Sequence, residues 1–244
     1  MKILIVLPVY NEQLIIEKSA LKVLEFCRRD LSGYDCKIVI ADNNSNDNTG
    51  IIGRELAQRY PEIDYFFTEK RGKGIAWRLA FQNYEADIYI VMDADLAVDL
   101  SAVNLLIEGI KDGADLALGS RYLKGSVVAR PFFRDLTSVV YRLLVRLILA
   151  TKITDFQCGF KAINNQVKNN VLSKTKDNGF FLDTEITILS EKWGYKIKEV
   201  PVNWSEYRNL NRKSTVKVFK TMAEYLIKIW GLKRRTKIGV DKIR

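Results

Sequence analysis

The sequence predicts an α/β fold, a mostly parallel sheet flanked by helices with amphipathic helices toward its C-terminal end, and three observations carry that prediction. Short continuous apolar runs, each closed by a polar cluster, recur along the first half of the chain; such runs read as strands buried on both faces. Between them lie segments with helical apolar spacing, giving the β-α-β-α-β alternation of a parallel sheet. The 244 residues are 48% hydrophobic, enough to bury one α/β core with an appended subdomain.

Taken in order, Lys2 to Val9 is the first strand, running into Tyr10-Asn11-Glu12, and a helix follows from about Glu12 to Arg29. Lys37 to Ala41 is a β-branched strand, Thr49 to Arg59 a helix, Ile63 to Phe67 a strand, Gly74 to Tyr84 a helix and Asp87 to Met92 a further buried strand. The polar clusters Tyr10-Asn11-Glu12, Asp42 to Asp47 and Asp93-Ala94-Asp95 each follow a strand directly. That is where open α/β sheets bind ligands. After a strand at about Ala114 to Leu118 the texture changes. Gly125 to Pro131 reads as a loop and Arg134 to Ala150 as a long apolar helix bearing arginines. A boundary near Gly125 separates residues 1–125 from residues 126–244 within one continuous domain. The second part carries a helix around Asp183 to Trp193, a strand around Lys196 to Val200 and a basic amphipathic helix from Thr215 to Arg235.

Lysine and arginine number 39 against 29 acidic residues, a formal charge of +10, so the partner is anionic: a phosphate, an acidic lipid surface or nucleic acid. There is no histidine, which removes histidine bases and histidine metal ligands together. Cys27, Cys36 and Cys158 are odd in number and widely spaced, giving neither a zinc pattern nor a disulfide framework, and a reducing compartment is expected. The start of the chain lacks the order of a signal peptide. No apolar run approaches the ~20 residues needed to cross a bilayer. A cytoplasmic or peripheral protein is expected.

Asp93 and Asp95 end an apolar strand, where two carboxylates are costly unless they meet a cation or water. Hard oxygen ligands suit Mg²⁺ or Mn²⁺, which can bridge the phosphates of a nucleotide sugar; the same tripeptide also occurs as a plain solvated strand end. Asp42 can accept hydrogen bonds from a nucleobase or ribose, or cap the turn before the helix at Thr49. Pro8, Tyr10 and Glu12 can wall the same crevice, with Tyr10 offering a face to a base. Arg71-Gly72-Lys73-Gly74 opens a helix, where glycines with a lysine can approach a diphosphate. The run has neither Walker A nor G-x-G-x-x-G spacing, and a bland turn is the other reading. Gly119-Ser120-Arg121 follows the next strand, and Arg134 and Ser138 lie four apart on one helix face, so the three can converge on a second anion.

In this order, Pro8-Val9-Tyr10-Asn11-Glu12, Asp42, Arg71-Gly72-Lys73-Gly74, Asp93-Ala94-Asp95, Gly119-Ser120-Arg121, Asp155-Phe156-Gln157-Cys158-Gly159-Phe160-Lys161 and Glu199-Val200-Pro201-Val202 resemble the family 2, GT-A fold glycosyltransferases. Among these the chain looks like the dolichyl-phosphate mannose and glucose synthases, over residues 3 to about 220. The resemblance implies a Rossmann-like GT-A sheet with a nucleotide-sugar half, 1–125, and an acceptor and membrane-surface half, 126–244. It implies that Pro8, Tyr10, Glu12, Asp42 and Lys73 serve the nucleotide, that Asp93-Ala94-Asp95 holds metal and diphosphate, and that Arg121, Arg134 and Ser138 grip the acceptor phosphate. Asp155 then stands near the reacting sugar. Mannose synthases commonly place Gln two residues beyond the D-x-D, where this chain has Ala97; the glucose synthases share the alanine, and Asn203-Trp204-Ser205-Glu206 resembles their N-W-x-E segment. Both lean toward a UDP-glucose type donor over GDP-mannose. The family's G-x-S-K is imperfect in Asn211-Arg212-Lys213-Ser214-Thr215, which leaves the phosphate role of Arg212 or Lys213 open.

A polyprenyl phosphate acceptor is already ionised at neutral pH, so transfer needs positioning and charge stabilisation more than a strong base, which suits a chain without histidine. The helices from Arg134 and from Thr215 can lie on a membrane surface with their cations near headgroups, or simply pack on the sheet. The sequence-level rivals are transfer to a soluble or polysaccharide acceptor and a basic nucleic-acid-binding module. No recognition motif supports the latter, and no nucleic-acid partner is expected.

Overall fold

The computed structural model describes residues 1–129, 132–205 and 218–239, with side chains described throughout except at 129, 132–140, 218–223 and 237–239. Strands β1 (Lys2–Val9), β2 (Asp35–Asp42), β3 (Ile63–Phe67) and β4 (Ile88–Val91) alternate with helices α1 (Ile16–Asp30), α2 (Thr49–Arg59) and α3 (Lys73–Asn83). There follow α4 (Ala102–Lys111), β5 (Leu116–Ser120), β6 (Val127–Ala129), α5 (Phe132–Leu149), β7 (Lys161–Asn164), α6 (Asn165–Asn170), α7 (Leu182–Lys192), β8 (Ile197–Pro201), β9 (Asn203–Ser205) and α8 (Val218–Gly239).

The main sheet has the order β3-β2-β1-β4-β7-β5-β8. Every pairing in it is parallel except those of β7, which runs antiparallel between β4 and β5. The expected mostly parallel sheet is therefore present, and β7 and β8 from the second half of the chain complete it. Alternation along the strands divides the core into two layers. Ile3, Ile5, Leu7 and Val9 of β1 pack with α1, α2 and α4. Leu4 and Val6 face the other way, onto Trp77 and Phe81 of α3, Tyr141, Val145 and Leu149 of α5, Leu182, Ile186 and Leu189 of α7, and Ile229 and Leu232 of α8. Full burial of each such side chain contributes about 1.5–3 kcal/mol.

The differences from the sequence reading have local causes. The first helix begins at Ile16, not Glu12, because Asn11 sits at φ 55° and the amides of Ile15 and Ile16 both donate to the Glu12 carbonyl in a closing turn. The stretch read as a loop from Gly125 contains β6, which pairs in parallel with β9, Val127 opposite Asn203. α4, which the sequence reading passed over, lies under β5. The last helix is described from Val218 and runs on to Gly239, and Arg212 and Lys213 lie outside the described residues. Among the described residues no helix is long and apolar enough to cross a membrane.

Candidate active site

β1 is flanked by β2 on one side and β4 on the other, so chain order reverses there, the position at which open α/β sheets bind ligands beyond the carboxyl ends of their strands. Register brings the ends level: Val9 lies opposite Asp42, and Val6 opposite Val91. Tyr10, Asn43 and Asp93 thus emerge along one edge. Because β7 runs antiparallel, with Lys161 opposite Val91, it is the loop before β7 that reaches this edge. That brings Asp155 to Phe160 beside the carboxylates after β4.

The loops after β1 and β2 are laced together by short polar side chains. The Asn11 amide donates to Ser45 Oγ at 2.9 Å and Asn46 N to Asn11 Oδ1 at 2.9 Å. The Glu12 amide donates to Thr49 Oγ1 at 2.8 Å, and that hydroxyl donates to Asp47 Oδ1. Asp42, 1% exposed, accepts from the Ser45 amide at 2.9 Å and from the Tyr65 hydroxyl at 2.7 Å. Burial, and then the adjacent Asp42 carboxylate, hold the Tyr65 phenol above its ordinary pKa. The turn-capping bonds expected of Asp42 as a structural residue are therefore made. Pro8 is buried in β1, Glu12 is half-buried and Tyr10 is 45% exposed, so Tyr10 offers an open aromatic face on this side, as does Phe67 at the end of β3.

Across the crevice, Lys73 opens α3 and pairs with Asp93, with Asp183 of α7 at 4.0 Å. Asp183 also takes the ammonium of Lys161 at 3.0 Å. Burial alone would lower the Lys73 pKa, but Asp93 and then Asp183 outweigh it and hold the ammonium charged above the ordinary lysine range. The Lys73 ammonium lies 5.7 Å from the centroid of the Phe180 ring, whose side chain is exposed. Gly159 closes this corner by close approach: a Cβ there would stand 2.8 Å from Asp93 Oδ2 and 2.8 Å from Lys73 Nζ. Asp93 is half-buried, Ala94 buried and Asp95 exposed, and Asp95 Oδ1 accepts from the Ala97 amide at 3.2 Å.

A third cluster sits at the end of β5. Arg121 grips Asp155 through a fork, Nε to Oδ2 at 2.6 Å and Nη2 to Oδ1 at 2.8 Å, the two-bond geometry that makes such pairs strong. Burial raises the Asp155 pKa and Arg121 lowers it, with the net below the ordinary 3.8. Glu199 of β8 anchors the loop from behind, accepting from the Thr154 amide at 3.0 Å, the Thr154 hydroxyl at 2.6 Å and the Asp155 amide at 3.1 Å. The Cys158 thiol is 3% exposed and pushed up to about 11 by burial, so it stays protonated and is no nucleophile.

The structure thus brings Pro8, Tyr10, Glu12, Asp42, Lys73, Asp93, Ala94, Asp95, Arg121 and Asp155 to one edge, and joins Arg121 to Asp155 and Lys73 to Asp93. Arg134 and Ser138 belong to α5, but their side chains lie outside those described. Sequence reasoning missed Asp183, Lys161 and Glu199 as charged partners. The available signal was a pair of acids, Asp183 and Glu185, in the first turn of an apolar helix. Nor are all the cations on the amphipathic helices turned outward. Arg142 stacks 3.8 Å from the centroid of the Tyr122 ring, and Lys228 and Arg235 pair with Asp177 and Glu185.

Among the described residues no group of three or more acidic or thiol side chains forms a ready metal cage. Mg²⁺ and Mn²⁺ need none when substrate phosphates complete their shell around one or two carboxylates. The exposed Asp95 and half-buried Asp93, two carboxylates one residue apart beyond β4, are the oxygen donors such an ion takes. The sequence profile described as Glycosyl transferase family 2 matches residues 4–172. The chain is 31% identical over 228 residues to "Glycosyltransferase AglD" of Haloferax volcanii, covering 93% of this chain and 36% of that protein. It is 34% identical over 238 residues to "Dolichol-phosphate mannosyltransferase" of Pyrococcus furiosus, covering 95% of this chain and 64% of that one. The chain therefore spans less than two thirds of either relative. Its fold matches glucosyl-3-phosphoglycerate synthase from Mycobacterium tuberculosis, solved with Mn²⁺, UDP-glucose and phosphoglyceric acid, with a TM-score of 0.71 over 95% of this chain and 79% of that one. At 17% identity that likeness establishes the GT-A fold alone.

Proposed function

The chain belongs to glycosyl transferase family 2, and from that premise we propose that it is an inverting hexosyltransferase that moves a sugar from a nucleotide-sugar donor to a polyprenyl phosphate at a membrane surface. The observation that carries the reading is the placement of Asp93 and Asp95 at the reversal of strand order, with the Lys73 ammonium fixed on Asp93. Leaving diphosphates need cations and binding needs a crevice; both are supplied at this point of the sheet. Asp93 and Asp95 would hold Mg²⁺ or Mn²⁺, which when bound neutralises charge on the donor diphosphate. Lys73 adds a fixed positive charge beside it. Tyr10 offers a base-stacking face, while Pro8, Glu12 and the backbone around Asp42 shape the nucleoside wall.

In the transfer step an oxygen of the acceptor phosphate attacks the anomeric carbon, the bond from that carbon to the nucleoside diphosphate breaks, and configuration inverts. The phosphate needs no deprotonation at neutral pH, so positioning by Arg121, Arg134 and Ser138 replaces a general base. Arg121 is held for this by Asp155, whose carboxylate stands near the transferred sugar. For the acceptor, support comes from the dolichol-phosphate mannosyltransferase of Pyrococcus furiosus and from exposed apolar residues on the second half of the chain. Leu143 and Leu147 of α5 and Ile227 and Trp230 of α8 are all more than half exposed. Arg146 and Arg234 are exposed on the same two helices. Such a mix suits the cytoplasmic, anionic face of a bilayer.

The test is incorporation of labelled hexose into polyprenyl phosphate by purified protein with Mn²⁺ or Mg²⁺, using UDP-glucose and GDP-mannose separately. Transfer from one donor is expected, and Ala97 with the Asn203-Trp204 segment favours UDP-glucose, whereas the Pyrococcus mannosyltransferase favours a mannose donor. Donor hydrolysis without lipid labelling would move the acceptor to a soluble or polysaccharide class. No use of either donor would end the reading.

A further inference from the structure

α8 reaches the catalytic edge without lining it, and we propose that this helix is a brace that sets Lys73 against Asp93, with Lys228 and Arg235 as positioning residues. The intermediary is the segment 174–179, between the turn after α6 and the start of α7. From one side α8 holds it: Lys228 Nζ donates to Asp177 Oδ2 at 2.6 Å, and Arg235 Nη2 to the Lys174 carbonyl at 2.6 Å. Arg235 also pairs with Glu185, whose side chain is 2% exposed. Glu185 in turn accepts from the amides of Lys176 at 3.0 Å and Asp177 at 2.8 Å.

From the other side the same segment holds the first turn of α3. The Ile75 amide donates to the Asn178 carbonyl at 2.9 Å. Arg78 donates to the carbonyls of Thr175 at 3.1 Å and Asp177 at 3.2 Å, and to Asn178 Oδ1 at 2.6 Å. Gly72 lies at φ 132°, and a Cβ there would stand 2.1 Å from the Asn178 carbonyl oxygen, so only glycine lets the two backbones meet. Lys73 is the next residue. Its height over Asp93 is therefore set by segment 174–179, and that segment's place is set by two cations of α8.

The energetics favour transmission over absorption. Glu185 is buried with an Arg and two backbone amides as its partners, and removing the cation leaves a charge in a poorly solvated site, which the segment can relieve only by moving. Aromatic packing of Tyr225 on Phe181, 5.6 Å between centroids, keeps α8 seated on α7 but does not fix residues 174–179. In the function proposed above, the helix that meets the lipid surface is also the one that sets the donor-side lysine.

Backbone hydrogen exchange on the free 244-residue chain tests the brace directly. In Lys228→Ala and Arg235→Ala the Ile75 amide is expected to exchange about tenfold faster or more, the equivalent of losing a charge-assisted hydrogen bond, while the Ile5 amide in β1 is unchanged. Lys228→Arg and Arg235→Lys should restore protection. A second reading, resting on the proposed function, is donor affinity by calorimetry. Both alanine variants should weaken it, and neither should weaken it further in a Lys73→Ala background. Unchanged Ile75 exchange, or Ile75 and Ile5 rising together, would overturn the brace, as would equal losses of affinity with and without Lys73. Faster Ile75 exchange in a protein that binds no donor would support the brace and sink the proposed function.

Discussion

The two ends of the catalytic edge are built by opposite means. After β1 and β2 the loops are tied by Asn11, Ser45, Asp47 and Thr49, small polar groups most of whose bonds go to backbone amides. Beyond β4 the loops are tied by Lys73, Lys161, Asp183, Arg121, Asp155 and Glu199, charged groups that pair with one another or take loop amides and are largely buried. The difference lies in what failure costs. A lost amide bond at an exposed loop is replaced by water, whereas a lost partner in a buried pair strands a charge. In the proposed function the first end would form a wall that adapts to a nucleoside. The second fixes charged groups, as the proposed placing of two anionic substrates requires.

The largest effect that would break this contrast is Asp155→Ala. It leaves Arg121 without its fork partner, and denaturant unfolding should show about 3–5 kcal/mol of lost stability, partly recovered when Arg121→Met is added. The same pair carries a pH signature. Because the Asp155 pKa is depressed in the folded state, its contribution is full above the ordinary value of 3.8 and is lost as pH falls below it. Asp155→Asn should therefore lose less stability than the wild type on acidification across that range. A matching acid profile for the two would show that the pair contributes little.

Glu199→Ala comes next, removing the acceptor for two amides and a hydroxyl, with about 1.5–3 kcal/mol expected and most of it regained in Glu199→Gln. At the other end Ser45→Ala removes one acceptor from the Asn11 amide and should cost only about 0.5–1.5 kcal/mol by thermal melts. If Ser45→Ala proved as damaging as Asp155→Ala, the contrast between the two ends would collapse.

Most of this architecture is legible in the sequence because parallel strands buried on both faces read as unbroken apolar runs. α2 and β3 fall where periodicity places them. β7 is not legible: its four residues begin with Lys161, a charge that conceals a strand, and only Asp183 and the Cys158 carbonyl make that lysine admissible in the core. β6 and β9 have three residues each, too few for any period to show. α4 was open to reading, since Val103, Leu106 and Ile107 have helical spacing. In the site, Asp42, Asp93, Asp95 and Arg121 are visible as charged residues at or just beyond the end of a strand, but their partners are not. Arg121 meets Asp155 because the antiparallel β7 returns its preceding loop to this edge, and Lys73 meets Asp93 because α3 starts beside the loop after β4. Periodicity predicts which face a residue occupies; it says nothing about which loop will arrive beside it.

The central claim is that the carboxylates after β4 form the donor site, and calorimetric titration with UDP-glucose and GDP-mannose, with and without Mn²⁺, tests it most directly. The expected result is metal-dependent binding of one nucleotide sugar that disappears in Asp95→Ala while the variant's thermal melt stays that of the wild type. Binding that survives Asp95→Ala, or that ignores the metal, would contradict the claim.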